Sequence, residues 1–290
     1  MKSPRSQYHF NFESYGVVLR IESNSPETLA IAKNVAAKAL IGQMTMLSDA
    51  VQAPYSFSIN YEDGRYEICR DGESLSSGSD ETVFLKYFDS MVRSRVTEKA
   101  KDLVFVHAGA VGWKGNAILI PARSGMGKTT LVSELIQLGA DYYSDEYAVL
   151  DIEGMNHPFA RPLSMRVTDA GEMRQIDVEP ADLQATVGTV RLPVGLVVLT
   201  EYKPEIPLTI GRLSIGSGIL ETVNHTIPFA VSPENSLKVL KTALSRAIIL
   251  KGMRGDAKQF ARSVISFFDY QLDSGMADRT VESFFGGDNE

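Results

Sequence analysis

Residues 118–130 read Ile-Leu-Ile-Pro-Ala-Arg-Ser-Gly-Met-Gly-Lys-Thr-Thr: an apolar strand, a glycine-rich turn, and a helix that opens on Gly127-Lys128-Thr129. The helix continues through Leu131, Val132, Leu135, Ile136 and Leu138, a helical apolar rhythm that Gly139 closes as a C-cap. This is the pattern of a loop that cradles phosphates. Gly125 and Gly127 let backbone N–H groups turn inward, Lys128 can reach terminal phosphates, and the Thr129 hydroxyl can ligate magnesium. The N-terminal end of the helix adds its partial positive charge at the same point. One position departs from G-x-x-x-x-G-K-[ST]: the first glycine is Ala122, small enough to preserve the tight turn. Ser124, Gly125, Met126, Gly127, Lys128, Thr129 and Thr130 are therefore the expected nucleotide-binding residues.

Composition limits what this loop can belong to. The 290 residues, 44% hydrophobic and 22% charged, suit an ordinary globular protein with room for one large domain or two modest ones. No apolar run approaches the ~20 residues needed to span a bilayer, and Met1-Lys2-Ser3-Pro4-Arg5 lacks the apolar centre of a secretion signal, so a cytoplasmic location and no membrane partner are expected. The single Cys69 excludes an internal disulfide and reads as a small strand residue. A net charge of −7 argues against a nucleic-acid partner.

Residues 1–100 read as a separate α+β domain. A strand is expected at Tyr15–Glu22, then a helix after Ser25-Pro26-Glu27, where a cap, a first-turn proline and an early carboxylate coincide. Tyr55–Tyr61 and Arg65–Arg70 flank an Asp63-Gly64 turn as a hairpin, Gly72–Asp80 reads as a loop, and Glu81 to Lys99 carries one apolar helical face. Residues 101–290 carry the phosphate loop. Strands are expected at Leu103–Val106 and Ala117–Ile120, with a Lys114-Gly115-Asn116 turn between Val111 and the second of them; two short runs, Asp141–Ser144 and Tyr147–Asp151, follow the loop's helix. Leu192–Tyr202 and Leu208–Leu213 read as strands, and Pro233–Arg246 and Ala257–Phe268 as helices.

Transfer of a phosphoryl group to a hydroxyl needs a group that orients the acceptor and takes its proton. Asp145 and Glu146 follow a short strand that itself follows the loop's helix, so the chain returns to the sheet near its point of departure. Asp151 is the rival, because it ends an apolar strand as a magnesium carboxylate does; were the two short runs a hairpin, it would sit at the opposite edge. His107 closes an apolar strand one hairpin before the loop and could bond a phosphate or a carboxylate, or serve the fold alone. Arg161 and Arg166, then Arg191, Lys251 and Arg254, are the candidate cations for the transferring group. Asn224-His225 reads either as a contact to base or acceptor or as a capped turn. Zinc spacing and a nucleophile elbow are both missing from the sequence.

The runs Val106-His107-Ala108-Gly109-Ala110-Val111-Gly112, Gly115 to Ile120, Arg123 to Thr129, and Gly139 to Glu146 resemble the catalytic domain of HPr kinase/phosphorylase. In that family a His-Gly segment, a Ser-Gly-x-Gly-Lys-Ser loop and an Asp-Asp pair occur in the same order, and the likeness extends to divergent relatives such as the serine kinases of lasso-peptide clusters. It covers about residues 103–151 clearly, and more weakly Pro158–Arg166 and Leu192–Tyr202. The resemblance implies a P-loop kinase domain of mixed sheet and flanking helices, behind a smaller N-terminal α+β domain placed by analogy. It implies ATP and Mg2+ as cofactors, a serine hydroxyl of a protein or peptide as acceptor, and a homo-oligomer. Carried across, Lys128 is the phosphate lysine, Thr129 and Glu146 are metal ligands, and Asp145 and His107 are catalytic. The Glu-x-Arg-Gly-Leu-Gly segment of true HPr kinases has no counterpart, so neither HPr itself nor reverse phosphorolysis is implied. A small-molecule hydroxyl kinase and a nucleotide-binding regulator with weak ATPase activity stay open as alternatives.

Overall fold

The computed structural model describes residues 7–123, 125–169, 172–204, 208–274 and 280–285. Ser124 of the expected nucleotide-binding set lies outside the described residues. The chain divides into two compact units, Met1–Lys101 and Asp102–Glu290.

The first unit runs β1 (Tyr8–Ser14), β2 (Val17–Ser23), α1 (Pro26–Ala39), β3 (Thr45–Leu47), β4 (Tyr55–Glu62), β5 (Arg65–Arg70), β6 (Glu73–Gly78) and α2 (Glu81–Lys99). Its sheet has the order β3-β1-β2-β4-β5-β6, and α1 makes the crossover between the parallel pair β2 and β4. α1 starts where the Ser25 hydroxyl accepts the Thr28 N–H at 3.0 Å with Pro26 in the first turn. Ala32 and Ala36 of α1 and Phe88, Val92 and Val96 of α2 are buried with Leu19, Ile21, Phe57, Ile59 and Ile68 of the sheet. Two expectations are corrected here. Tyr15-Gly16, with φ of 49° and 74°, is the turn of a hairpin between β1 and β2 rather than the start of a strand. Glu73–Gly78 is the edge strand β6 rather than a loop, paired along one side with β5. β1 alternates Tyr8, Phe10 and Phe12 with His9, Asn11 and Glu13, a strand signal that the sequence carried and that was not read, whereas β6 offers only Leu75 among polar residues and glycine and so has no alternation to read.

The second unit runs β7 (Leu103–Trp113), β8 (Asn116–Pro121), α3 (Lys128–Gln137), β9 (Asp141–Ser144), β10 (Tyr147–Asp151), β11 (Met155–His157), β12 (Leu163–Asp169), β13 (Glu172–Val178), β14 (Leu192–Tyr202), β15 (Thr209–Arg212), α4 (Ile215–Val223), α5 (Pro233–Leu244), β16 (Ile248–Arg254), α6 (Ala257–Ser274) and α7 (Glu282–Phe285). The sheet order is β11-β10-β7-β8-β14-β16-β15, with β9 also on β7, while β12 and β13 form a separate ribbon. β8, β14 and β16 are mutually parallel and the other pairings are antiparallel, a mixed α/β arrangement with helices on both faces. Ile118, Ile120, Leu196 and Val198 pack with Leu131 and Leu135 of α3 and Phe260 and Val264 of α6. The alternate residues Ala117, Leu119, Val197 and Leu199 pack with Val239, Leu240 and Leu244 of α5. Burial on both faces is why β8 and β14 read as unbroken apolar runs.

β9 and β10 do not form a hairpin with each other. Both run antiparallel to β7 in succession: Ser144 lies opposite Ala110 and Tyr147 opposite His107. Asp145-Glu146 is the break between two collinear strands, held where the Ala108 N–H donates to the Glu146 carbonyl at 3.1 Å. Asp151 is six residues further on, about 20 Å away at the strand rise per residue. Among the described residues no helix is long and apolar enough to cross a membrane.

Candidate functional site

The loop after β8 turns where Gly125 and Gly127 take φ of 88° and 76°, values that glycine adopts without strain. Gly127, which has no side chain to cap with, is the N-cap of α3, and among the described residues none caps this helix or places a carboxylate in its first turn. α1, α2 and α4 are each capped by a Ser or Asp side chain; α5 lacks such a cap but has Glu234 in its first turn, whereas α3 has neither. Arg166 of β12 reaches the turn, its Nη1 lying 3.4 Å from where a Cβ on Gly125 would be.

Lys128 is only 8% exposed. Its Nζ lies 3.0 Å from His107 Nε2, a contact in which the ammonium donates and the ring nitrogen accepts. This approach depends on the small residues of β7. A Cβ on Gly109 would stand 2.5 Å from Val132 and 3.3 Å from Lys128, so α3 rests directly on the strand that carries His107. Burial, with the Lys128 charge beside it, pushes the His107 imidazole down to about 4 and keeps it neutral. Burial also lowers the pKa of Lys128, against the opposing pull of Asp145 and Glu146.

Asp145, 5% exposed, receives the Thr129 hydroxyl at 3.1 Å and the Ser164 N–H at 3.0 Å on Oδ2. The Tyr142 hydroxyl approaches its Oδ1 at 3.4 Å and also donates to the Arg161 carbonyl at 2.7 Å. Burial raises the Asp145 pKa above the usual carboxylate range despite the Ser164 bond and the Lys128 charge. Glu146 pairs with Arg161 Nη1 at 2.7 Å, and its charge also acts on Lys128 and His107. The Arg161–Arg166 segment thus serves both acids and the loop: Arg161 on Glu146, Ser164 on Asp145, Arg166 beside Gly125.

Beyond the end of β8 the sheet is continued by the segment after α4. The His107 N–H donates to the His225 carbonyl at 2.7 Å, and Thr226 bridges to Val106. A cavity of about 230 Å3 opens there, lined by His107, Arg123, Asn224, His225, Thr226 and Ile227. Burial, then the Arg123 and Lys128 charges, lower the pKa of His225.

Of the remaining sequence candidates Asp151, Arg191 and Lys251 are paired elsewhere, and Arg254 touches the loop. Asp151 accepts the Glu153 and Met155 N–H groups at 2.9 Å each, pairs with His157 at 2.7 Å and receives Arg191 at 3.1 Å. Lys251 pairs with Glu221 at 2.7 Å. Arg254 donates from Nη2 to the Gly127 carbonyl at 2.7 Å. Sequence reasoning passed over Tyr142 and the Ser164 backbone. Tyr142 had a signal in its place three residues before Asp145, whereas Ser164 had none, being brought in by the fold.

The site fits a nucleotide with its metal on its own geometry: an uncapped helix start, positive-φ glycines and a buried lysine, with a hydroxyl against a carboxylate. Among the described residues no group of three or more His, Cys, Asp or Glu could hold a metal ion. Magnesium needs no such cage, since it takes one or two carboxylates together with phosphates and water.

No family model matches the chain, and no curated protein matches it. Among solved structures it is similar to the HPr(Ser) kinase/phosphatase from Coxiella burnetii, at 15% identity and a TM-score of 0.31, over 58% of this chain and 98% of that one.

Proposed function

We propose that this chain is an ATP- and magnesium-dependent phosphotransferase that moves the γ-phosphoryl group to a hydroxyl, in the first instance a serine of a protein or peptide. The observation that carries this reading is the convergence of Lys128, Thr129, Asp145 and neutral His107 at the start of an uncapped helix. A buried carboxylate beside the lysine gives the site a group that can take the proton of an acceptor.

The loop amides and Lys128 hold the phosphates, and Lys128 is itself fixed by His107. Bound magnesium would neutralise charge on the β- and γ-oxygens, held by the Thr129 hydroxyl with Glu146. Asp145 accepts the proton of the acceptor hydroxyl as its oxygen bonds to phosphorus and the bond to the ADP oxygen breaks. A raised pKa suits that task, because a base must hold the proton it takes. The Thr129–Asp145 contact of 3.1 Å supports a second assignment, in which Asp145 rather than Glu146 shares the metal.

The test is incubation of the full chain with γ-labelled ATP, a cell extract and titrated magnesium. Label in a polypeptide supports the reading, label in a metabolite moves it to a small-molecule hydroxyl kinase, and label in free phosphate alone turns it into a nucleotide-hydrolysing regulator. Lys128→Ala should remove all three signals. A changed magnesium requirement in Glu146→Gln supports the first metal assignment, and in Asp145→Asn the second.

A further inference from the structure

Arg254 ends β16 with 2% of its surface exposed. Its guanidinium donates to two carbonyls, Gly127 at 2.7 Å through Nη2 and Gly255 at 3.3 Å through Nη1. Its guanidinium carbon lies over two aromatic rings, 5.6 Å from the centre of Tyr202 and 5.9 Å from that of Phe260. Nε has no hydrogen-bond partner, and among the described residues no carboxylate forms an ion pair with Arg254. Burial lowers its pKa, as expected where an environment resists the charge.

A buried guanidinium without a paired anion is costly, and two carbonyl dipoles with the more distant Asp256 charge offset only part of that cost. The bond to Gly127, whose Cβ position would lie 2.6 Å from Nη2, sets the charge beside the N-cap of α3, where an anion is expected. The sheet order then says which part of the anion. His107 on β7 and the Asp145-Glu146 break lie on one side of β8, and β14 and β16 lie on the other. A nucleotide whose terminal phosphate meets Lys128 beside His107 extends away from that side, across the loop, toward the carboxyl ends of β14 and β16.

We propose that Arg254 is the counter-charge for the nucleoside-side phosphates, the pair that ADP and ATP share, and not for the phosphoryl group transferred. This rests on the nucleotide reading above. At the same strand end Tyr202 is 44% exposed, which leaves an aromatic ring at the surface where the nucleoside would lie.

Calorimetric titration of the full chain with ATP and with ADP, well below its melting temperature, tests the inference in Arg254→Met and Arg254→Gln. The glutamine keeps a donor for the Gly127 carbonyl and loses the charge, so it rescues a purely structural role and not a counter-charge. The expected result is a loss of about tenfold in affinity for both nucleotides, equal for the two, in Arg254→Gln as in Arg254→Met. Should the methionine variant not fold, the glutamine variant decides. Retention of both affinities within roughly fivefold in Arg254→Gln overturns the proposal, as does a loss for ATP with ADP unchanged. If the unmodified chain binds neither nucleotide, the nucleotide reading falls and this inference with it; if it binds both and Arg254→Gln binds them equally well, this inference falls alone.

Discussion

Asp145 and Asp151 stand at the two ends of one short strand against β7, and they are opposites. Asp151 is saturated: two backbone N–H groups, His157 and Arg191 all serve its carboxylate. Burial alone would raise its pKa, but the Met155, His157 and Arg191 bonds outweigh that and hold it below the ordinary carboxylate range. Asp145 is more deeply enclosed than its bonds compensate, and burial leaves its pKa raised. A carboxylate whose partners are complete contributes to stability, whereas one held against its preferred charge state is poised to take a proton. Both residues follow or end an apolar strand, so strand position alone does not tell the two uses apart.

Replacing each acid breaks the comparison in a different observable. Asp145→Asn should lower turnover with labelled ATP by about 10²–10⁴-fold, the span of a lost general base, with ATP binding retained and the melting temperature unchanged or raised. Asp151→Asn should leave turnover within about twofold while costing about 2 kcal/mol in denaturant unfolding, since a charged network loses its anion. If Asp151→Asn abolishes turnover in folded protein, the assignment of the two acids is reversed.

Acid sharpens the same contrast. His107 has a folded pKa of about 4, below its unfolded value, so the unfolded chain binds more protons between roughly pH 6.5 and 4 and stability falls as pH drops through that range. Asp151, also depressed, loses its contribution as pH falls from its unfolded value through its folded one. Asp145 acts in the opposite sense, because its raised pKa means that protonation relieves the folded state. His107→Asn should therefore flatten the slope of unfolding free energy between pH 6.5 and 4 and leave the slope below pH 4, a difference of about 1 kcal/mol or more that a pH series of urea melts would read.

Much of the second unit was legible in its sequence. The β8–loop–α3 stretch combines a buried strand, two glycines and a helix start in thirteen consecutive residues, and β14 falls at the expected Leu192–Tyr202. The β12–β13 ribbon and β16 were not read. The ribbon carries Ser164, Arg166, Arg174 and Gln175 along its length, too polar for an alternation signal, and its pairing is with itself. β16 contains Lys251 and Gly252 in a short run whose strand character comes from its place between β14 and β15. The same distinction divides the site. Lys128, Thr129 and Asp145 share one local stretch of chain, but the Ser164 N–H arrives from 19 residues beyond Asp145, and Arg254 reaches Gly127 across 127 residues. Contacts of that reach follow from topology and leave no periodic trace.

The wall beside His107 is fastened through its main chain, by the His225 carbonyl and the Thr226 bridge, while Asn224 and His225 border the cavity. Four of the six cavity-lining residues belong to this one stretch, 224–227, and none to α3. Such an attachment makes the stretch an exchangeable cassette: a graft that preserves its backbone path can give the enclosure a new shape without disturbing the start of α3.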